Sequence, residues 1–169
     1  EIGTREIINK NYRRAERAFR EILLFNPKVP QIRYKLGVAL YYQERYKEAL
    51  EQFQKSTLDD SVMDDSNYYQ ALCLYQLGQK DAAFASFQDV LKGQNEKLKP
   101  SSSFYSGIIT YNKEDYEEAK KHFEFVVDSN TSDELKFDSH KYLEYIESQL
   151  EFKRRTGKWV SFNLNVDAF

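Results

Sequence analysis

One set of residues recurs along the chain at a fixed interval, and it constrains the fold more than any other feature. Tyr46, Ala49, Phe53 and Ser56 have counterparts 34 positions back at Tyr12, Ala15, Phe19 and Ile22, and 34 positions on at Lys80, Ala83, Phe87 and Val90. A further 36 positions bring Tyr116, Ala119, Phe123 and Val126. Within each set the steps are 3, 4 and 3, which places the four residues on one face of an α-helix. A second column, Gly3, Gly37, Ala71 and Gly107, keeps the same interval. Glycine inside a helix costs up to about 1 kcal/mol relative to alanine, so its recurrence at one phase points to a backbone contact that excludes a side chain. Each period therefore reads as a helix A, a short turn and a helix B.

These residues resemble the tetratricopeptide repeat, a 34-residue helix-turn-helix with Leu-Gly in helix A, Ala and Phe in helix B, and Pro at the end. Tyr34-Lys35-Leu36-Gly37 and Tyr46-Lys47-Glu48-Ala49-Leu50-Glu51-Gln52-Phe53 fit the pattern, and Pro27 stands where a repeat closes. Lys80 departs from it, as do Ser61, Asn95 and Thr131 at the Pro position. The resemblance covers roughly residues 1–155 and implies an all-α, right-handed superhelical solenoid of antiparallel helix pairs. The expected repeats are 1–29, 30–63, 64–99 and 100–133, closed by a capping helix at 133–154 that covers the last helix B. The expected helices are 12–25, 31–43, 46–58, 65–77, 80–92, 101–112 and 116–128, with breaks at Asn26-Pro27, Asp59-Asp60-Ser61 and Lys99-Pro100-Ser101. Because Gly3 is the middle of its helix A, the natural chain is expected to extend upstream.

Composition agrees with helices and removes several functions. Six Gly and three Pro leave few turns. Twenty-five Lys and Arg against 27 Asp and Glu give a net charge of −2, which argues against a nucleic-acid partner. One Cys and two His make neither a disulfide nor a metal constellation. Cys73 lies in an apolar run and reads as a buried, inert thiol. His122 and His140 read as surface or groove residues. The run Asp59-Asp60-Ser61-Val62-Met63-Asp64-Asp65 lacks the Gly and the closing Glu of a calcium loop, and reads as a helix-terminus loop with N-capping acids. No phosphate loop, catalytic carboxylate pair or nucleophile elbow is present, so no enzyme and no cofactor are expected.

In the family that the chain resembles, A helices line the concave surface. Tyr34, Tyr68, Phe104 and Asp138 form one column at the repeat interval, and Tyr41, Tyr75, Tyr111 and Tyr145 form another seven residues on. Val38, Leu72, Ile108 and Tyr142 lie between them. Aromatics reach 15% of the chain, with 13 Tyr. Two readings of the columns stand: a groove for an extended peptide or protein segment, with a polysaccharide as the alternative, or packing between neighbouring helices. The columns lack the Lys, Asn and Arg by which the chaperone-tail subclass clamps a terminal carboxylate.

Residues 156–169 leave the helical period. From Val160 to Ala168 apolar and polar residues alternate strictly, a β-strand signal of the length that spans an outer membrane. The arrangement resembles outer-membrane proteins in which periplasmic tetratricopeptide repeats precede a β-barrel. It implies a periplasmic location, with a membrane link only through a covalently following barrel. The alternative is a soluble, cytoplasmic scaffold or co-chaperone with a loose tail.

Overall fold

The structure is a computed structural model that describes residues 2–158. Nine helices fill this range: α1 (Ile2–Ile8), α2 (Tyr12–Phe25), α3 (Pro30–Tyr41), α4 (Tyr46–Ser56), α5 (Asp60–Gln76), α6 (Lys80–Lys92), α7 (Lys99–Asn112), α8 (Tyr116–Asp128) and α9 (Asp133–Thr156). Each helix packs on the next in sequence, and among the described residues there is no strand. The odd-numbered helices are the A layer and α2, α4, α6 and α8 the B layer. Within the A layer α3 also reaches α5, and α7 reaches α9, so this layer lies on the inside of the stack.

The Gly and Phe columns are two halves of one contact. Phe19, Phe53, Phe87 and Phe123 are essentially fully buried. A Cβ added at Gly37 would stand 2.6 Å from the Phe53 ring, at Gly3 2.6 Å from Phe19 and at Gly107 2.9 Å from Phe123. In the first, second and fourth repeats the ring of helix B thus lies against the backbone of its own helix A, and the third has the small Ala71 at that place. The other side of the ring is covered from the following repeat. Tyr69 stacks on Phe53 at 5.4 Å, Tyr105 on Phe87 at 5.3 Å and Tyr142 on Phe123 at 4.5 Å. A Phe that contacts both its own helix A and the next repeat is how a solenoid builds a continuous core from units too small to have one each.

Lys80, the departure from the pattern, keeps the contact it replaces. Tyr46 meets Tyr41 edge-on at 5.5 Å and Tyr116 meets Tyr111 at 5.6 Å. In the third repeat the Lys80 ammonium lies 3.1 Å from the centre of the Tyr75 ring, a cation–π contact at the same five-residue spacing.

Helix α5 begins at Asp60, five residues before the expected start. Asp59 caps it by accepting a hydrogen bond from the Ser61 backbone N–H at 2.8 Å, and Asp60 sits in the first turn where the helix dipole favours an acid. Asp64 then binds a distant loop: its carboxylate accepts from the backbone N–H groups of Gln94 and Asn95 at 3.0 and 2.9 Å. This fixes the longer connection between α6 and α7. Asp64→Ala should leave both donors without their acceptor and cost about 1–3 kcal/mol. Native-state hydrogen exchange should show the Gln94 and Asn95 amides accelerated. Unchanged rates at both would show that the carboxylate does not hold the loop.

The last helix starts where expected, with Ser132 accepting from the Leu135 N–H at 3.3 Å. It runs two residues past the expected end, to Thr156, and Gly157 closes it with φ +69°, in the left-handed region that favours glycine. The alternating segment falls at 159–169, outside the described residues. No helix among the described residues is long and apolar enough to cross a membrane.

Candidate functional site

Charge is spread unevenly along the A layer: α9 is rich in it, while α5 and α7 lack it over long stretches. No charged residue occurs between Ser66 and Gln76 of α5 or between Pro100 and Asn112 of α7. Helices in water carry charges on their exposed faces, so two consecutive inner helices that lack them over these stretches are unusual there. Tyr34, Tyr41, Tyr68, Tyr75, Phe104, Ile108, Asp138, Tyr142 and Tyr145 are all partly exposed. Val38, Leu72 and Tyr111 are instead buried, at 6, 6 and 8% exposure. Val38 and Leu72 are therefore floor beneath the tyrosines. Tyr111 is closed over by Tyr116, Tyr142 and Tyr145, all within 5.7 Å between ring centres.

Packing between helices accounts for part of the columns. The rings contact one another edge-on, as in Tyr41 with Tyr42 at 5.4 Å and with Tyr69 at 5.4 Å, while an open side of each remains. Tyr142 does mostly packing work, because its ring lies on Phe123. Burial pushes the phenols of Tyr34 and Tyr68 up to about 12, so both are neutral at pH 7 and offer a hydroxyl donor. The columns form a strip of partly exposed rings. Two cavities lie elsewhere, at the turns between A and B helices. One of about 650 Å³ lies between Lys113–Glu117 and the end of α9, and one of about 390 Å³ is lined by Lys10–Arg14 and Gln43.

His122 is not on the surface. It is 8% exposed, meets Phe84 edge-on at 6.1 Å, and its Nδ1 lies 3.1 Å from the Ser103 hydroxyl. Ser103 donates to the His122 backbone carbonyl at 3.0 Å and is 1% exposed, so this Ser–His pair offers no accessible nucleophile. Burial lowers the His122 pKa, and Lys121 adds to this against the pull of Glu118, whose carboxylate is 3.9 Å from Nε2. The unfolded chain's His titrates near its ordinary value of 6.5, so below that pH unfolding takes up a proton that the folded state resists. This contribution to stability is complete above 6.5 and is lost as pH falls below it. Urea midpoints from pH 5 to 8 should show that slope in the wild type and a flatter one in His122→Gln. Parallel curves would show that His122 titrates alike in both states.

Cys73 is fully buried, and burial pushes its thiol up to about 12, which leaves no thiolate to react. His140 is exposed. No group of three or more His, Cys, Asp or Glu suited to a metal ion occurs among the described residues.

Stacked helix pairs with a strip of aromatic rings on their inner layer define a helical-repeat scaffold. The sequence pattern of the tetratricopeptide repeat matches residues 9–62 and 34–102, together more than half of the chain, and the chain belongs to that family. The fold is similar to two crystal structures of MamA, each 16% identical, with TM-scores of 0.70 and 0.65. These alignments cover 92 and 94% of this chain and 98 and 93% of theirs. It is also similar to pilF of Pseudomonas aeruginosa, at a TM-score of 0.70 and 17% identity, over 92% of this chain and 73% of that one. At such identities the likeness is one of fold. No curated protein sequence matches.

Proposed function

We propose that this chain is a non-catalytic docking module that holds an extended, largely uncharged segment of a protein partner along its tyrosines. The observation that carries this reading is the absence of charged residues from 66–76 of α5 and 100–112 of α7, the stretches that hold the partly exposed Tyr68, Tyr75 and Phe104. Tyr gives rigid contact area and a hydrogen bond at low entropic cost, which suits an extended backbone. A clamp for a terminal carboxylate would need cations on these helices, and α5 has none. Peptides selected on the wild type from a random displayed library should lose about tenfold or more in affinity for Tyr41→Ser/Tyr75→Ser, the loss expected of interface aromatics. Circular dichroism should be unchanged. Selected peptides that bind the double variant equally would place docking elsewhere, and selection of none would reject it. A neutral polysaccharide offers the same uncharged, hydroxyl-rich chemistry, and retention on immobilised neutral glucans lost in the same variant would favour it.

We further place the module on the periplasmic side of an outer membrane, ahead of a β-barrel. The support is the strict alternation from Val160 to Ala168. Fractionation of the natural protein tests it: a cytoplasmic location would end this part of the proposal and leave the docking surface standing.

A further inference from the structure

Net charge conceals an asymmetry. The first 35 residues carry nine Lys and Arg against four Asp and Glu, and the remainder sixteen against twenty-three. Much of the excess stands at one place. Lys10, Arg13 and Arg14 are exposed and line the cavity of about 390 Å³ at the turn between α1 and α2. None of the three has an ion-pair partner among the described residues. The acid nearest in sequence, Glu16, is already neutralised: burial would raise its pKa, but hydrogen bonds from Gln43, Arg20 and Arg45 hold it below the ordinary carboxylate value. The corresponding turns of the later repeats have no basic excess: Glu44, Arg45, Lys47 and Glu48 balance in the second, Lys80 and Asp81 in the third, and Glu114, Asp115, Glu117 and Glu118 make the fourth acidic.

This basic turn is continuous with the tyrosine strip. Tyr12, which lines the cavity, stacks on Tyr42 at 4.8 Å with the rings 13° from parallel. Tyr42 is 48% exposed and meets Tyr41 of the strip edge-on. A chain lying on Tyr75 and Tyr41 and continuing toward the first repeat passes over Tyr42 and Tyr12 and ends among three unpaired cations. We infer that the partner segment has two parts, an uncharged stretch held by the tyrosines and an acidic end held by Lys10, Arg13 and Arg14. This inference rests on the docking reading above and adds the partner's charge and direction. Exposed cations gain little from each pair, but three acting on one acidic stretch add their fields and set the register of an otherwise featureless segment.

The same displayed library supplies the test. Peptides selected on the wild type should carry Asp or Glu at one end. Arg13→Gln/Arg14→Gln, which keeps polar side chains of similar reach, should lose about tenfold in affinity for them, as summed screened pairs predict. That loss should shrink as salt rises. Selection on Arg13→Glu/Arg14→Glu should no longer enrich acids. Peptides that need Tyr41 and Tyr75 yet show no acidic end, or bind the Gln variant unchanged, would overturn this inference and leave the docking surface intact. Acidic peptides indifferent to the tyrosines would overturn both, as would a library that yields none. Binding to anionic-lipid vesicles that depends on Arg13 and Arg14, with no acidic enrichment among peptides, would assign the cluster to phosphates and overturn it as well.

Discussion

Replacing Phe53 with Ala should lower unfolding free energy by about 3–5 kcal/mol, the range for a fully buried Phe truncation. The side chain is 0% exposed, its ring lies against the backbone at Gly37, and Tyr69 stacks on its far side. The void opened by the substitution would therefore border two repeats, and neither can move in to fill it without losing its own packing. Tyr41→Ala is the control. Tyr41 also touches three aromatic rings, but one side of it is open, so a loss of about 1–2 kcal/mol is expected from those ring contacts. Urea unfolding of the two variants decides the matter. Equal losses would mean that Tyr41 is core and the strip is not a surface.

Ending the chain before Asp133 should be costlier still. Helix α9 supplies Tyr142 to cover Phe123, and it buries its own Ile146 and Leu150 against α7 and α8. Removing it exposes Phe123 and Val126, which are now 0% exposed. Each large apolar side chain returned to water costs about 1.5–3 kcal/mol, so the loss is on the order of 5 kcal/mol and falls mainly on the last repeat. Calorimetry should show a lower midpoint, with a separate early transition for α7 and α8. A midpoint equal to that of the full chain would show that the fourth repeat needs no cover.

The repeat, the helix pairing and the Phe column were legible because each depends on a residue type restricted by sterics at a fixed period. Gly37 and Phe53 are recognisable for the same reason: almost nothing else fits. What the sequence hid was contact between positions that share no helix. Tyr69 and Tyr105 sit one residue beyond Tyr68 and Phe104, so periodicity assigned no role to them, yet they are the covers of Phe53 and Phe87. The early start of α5 is hidden in the sequence because an acidic run looks like a turn. Its stabilising partner for Asp64 is a loop thirty residues away. His122 did carry a signal: with Ala119, Phe123 and Val126 it completes an i, i+3, i+4, i+7 buried face, which the neighbouring Lys120, Lys121 and Glu124 obscured. The columns themselves were readable, but which members lie open and which lie sealed was not, since Tyr111 and Tyr75 occupy equivalent positions and differ in what closes over them.

The Phe rings also act as couplings in series under tension. A pull along the stack passes from one repeat to the next through a Phe and the Tyr lying on it, at 53 with 69, 87 with 105 and 123 with 142. Phe19 has no such ring among the described residues, because Lys35 stands at the position of Tyr69 and Tyr105 and spends its ammonium on Thr4. The joint between the first and second repeats is closed on a different side instead: Tyr12 stacks on Tyr42, and Glu16 accepts hydrogen bonds from Gln43 and Arg45. The first joint is therefore fastened at the helix turns, where the later ones are fastened ring on ring.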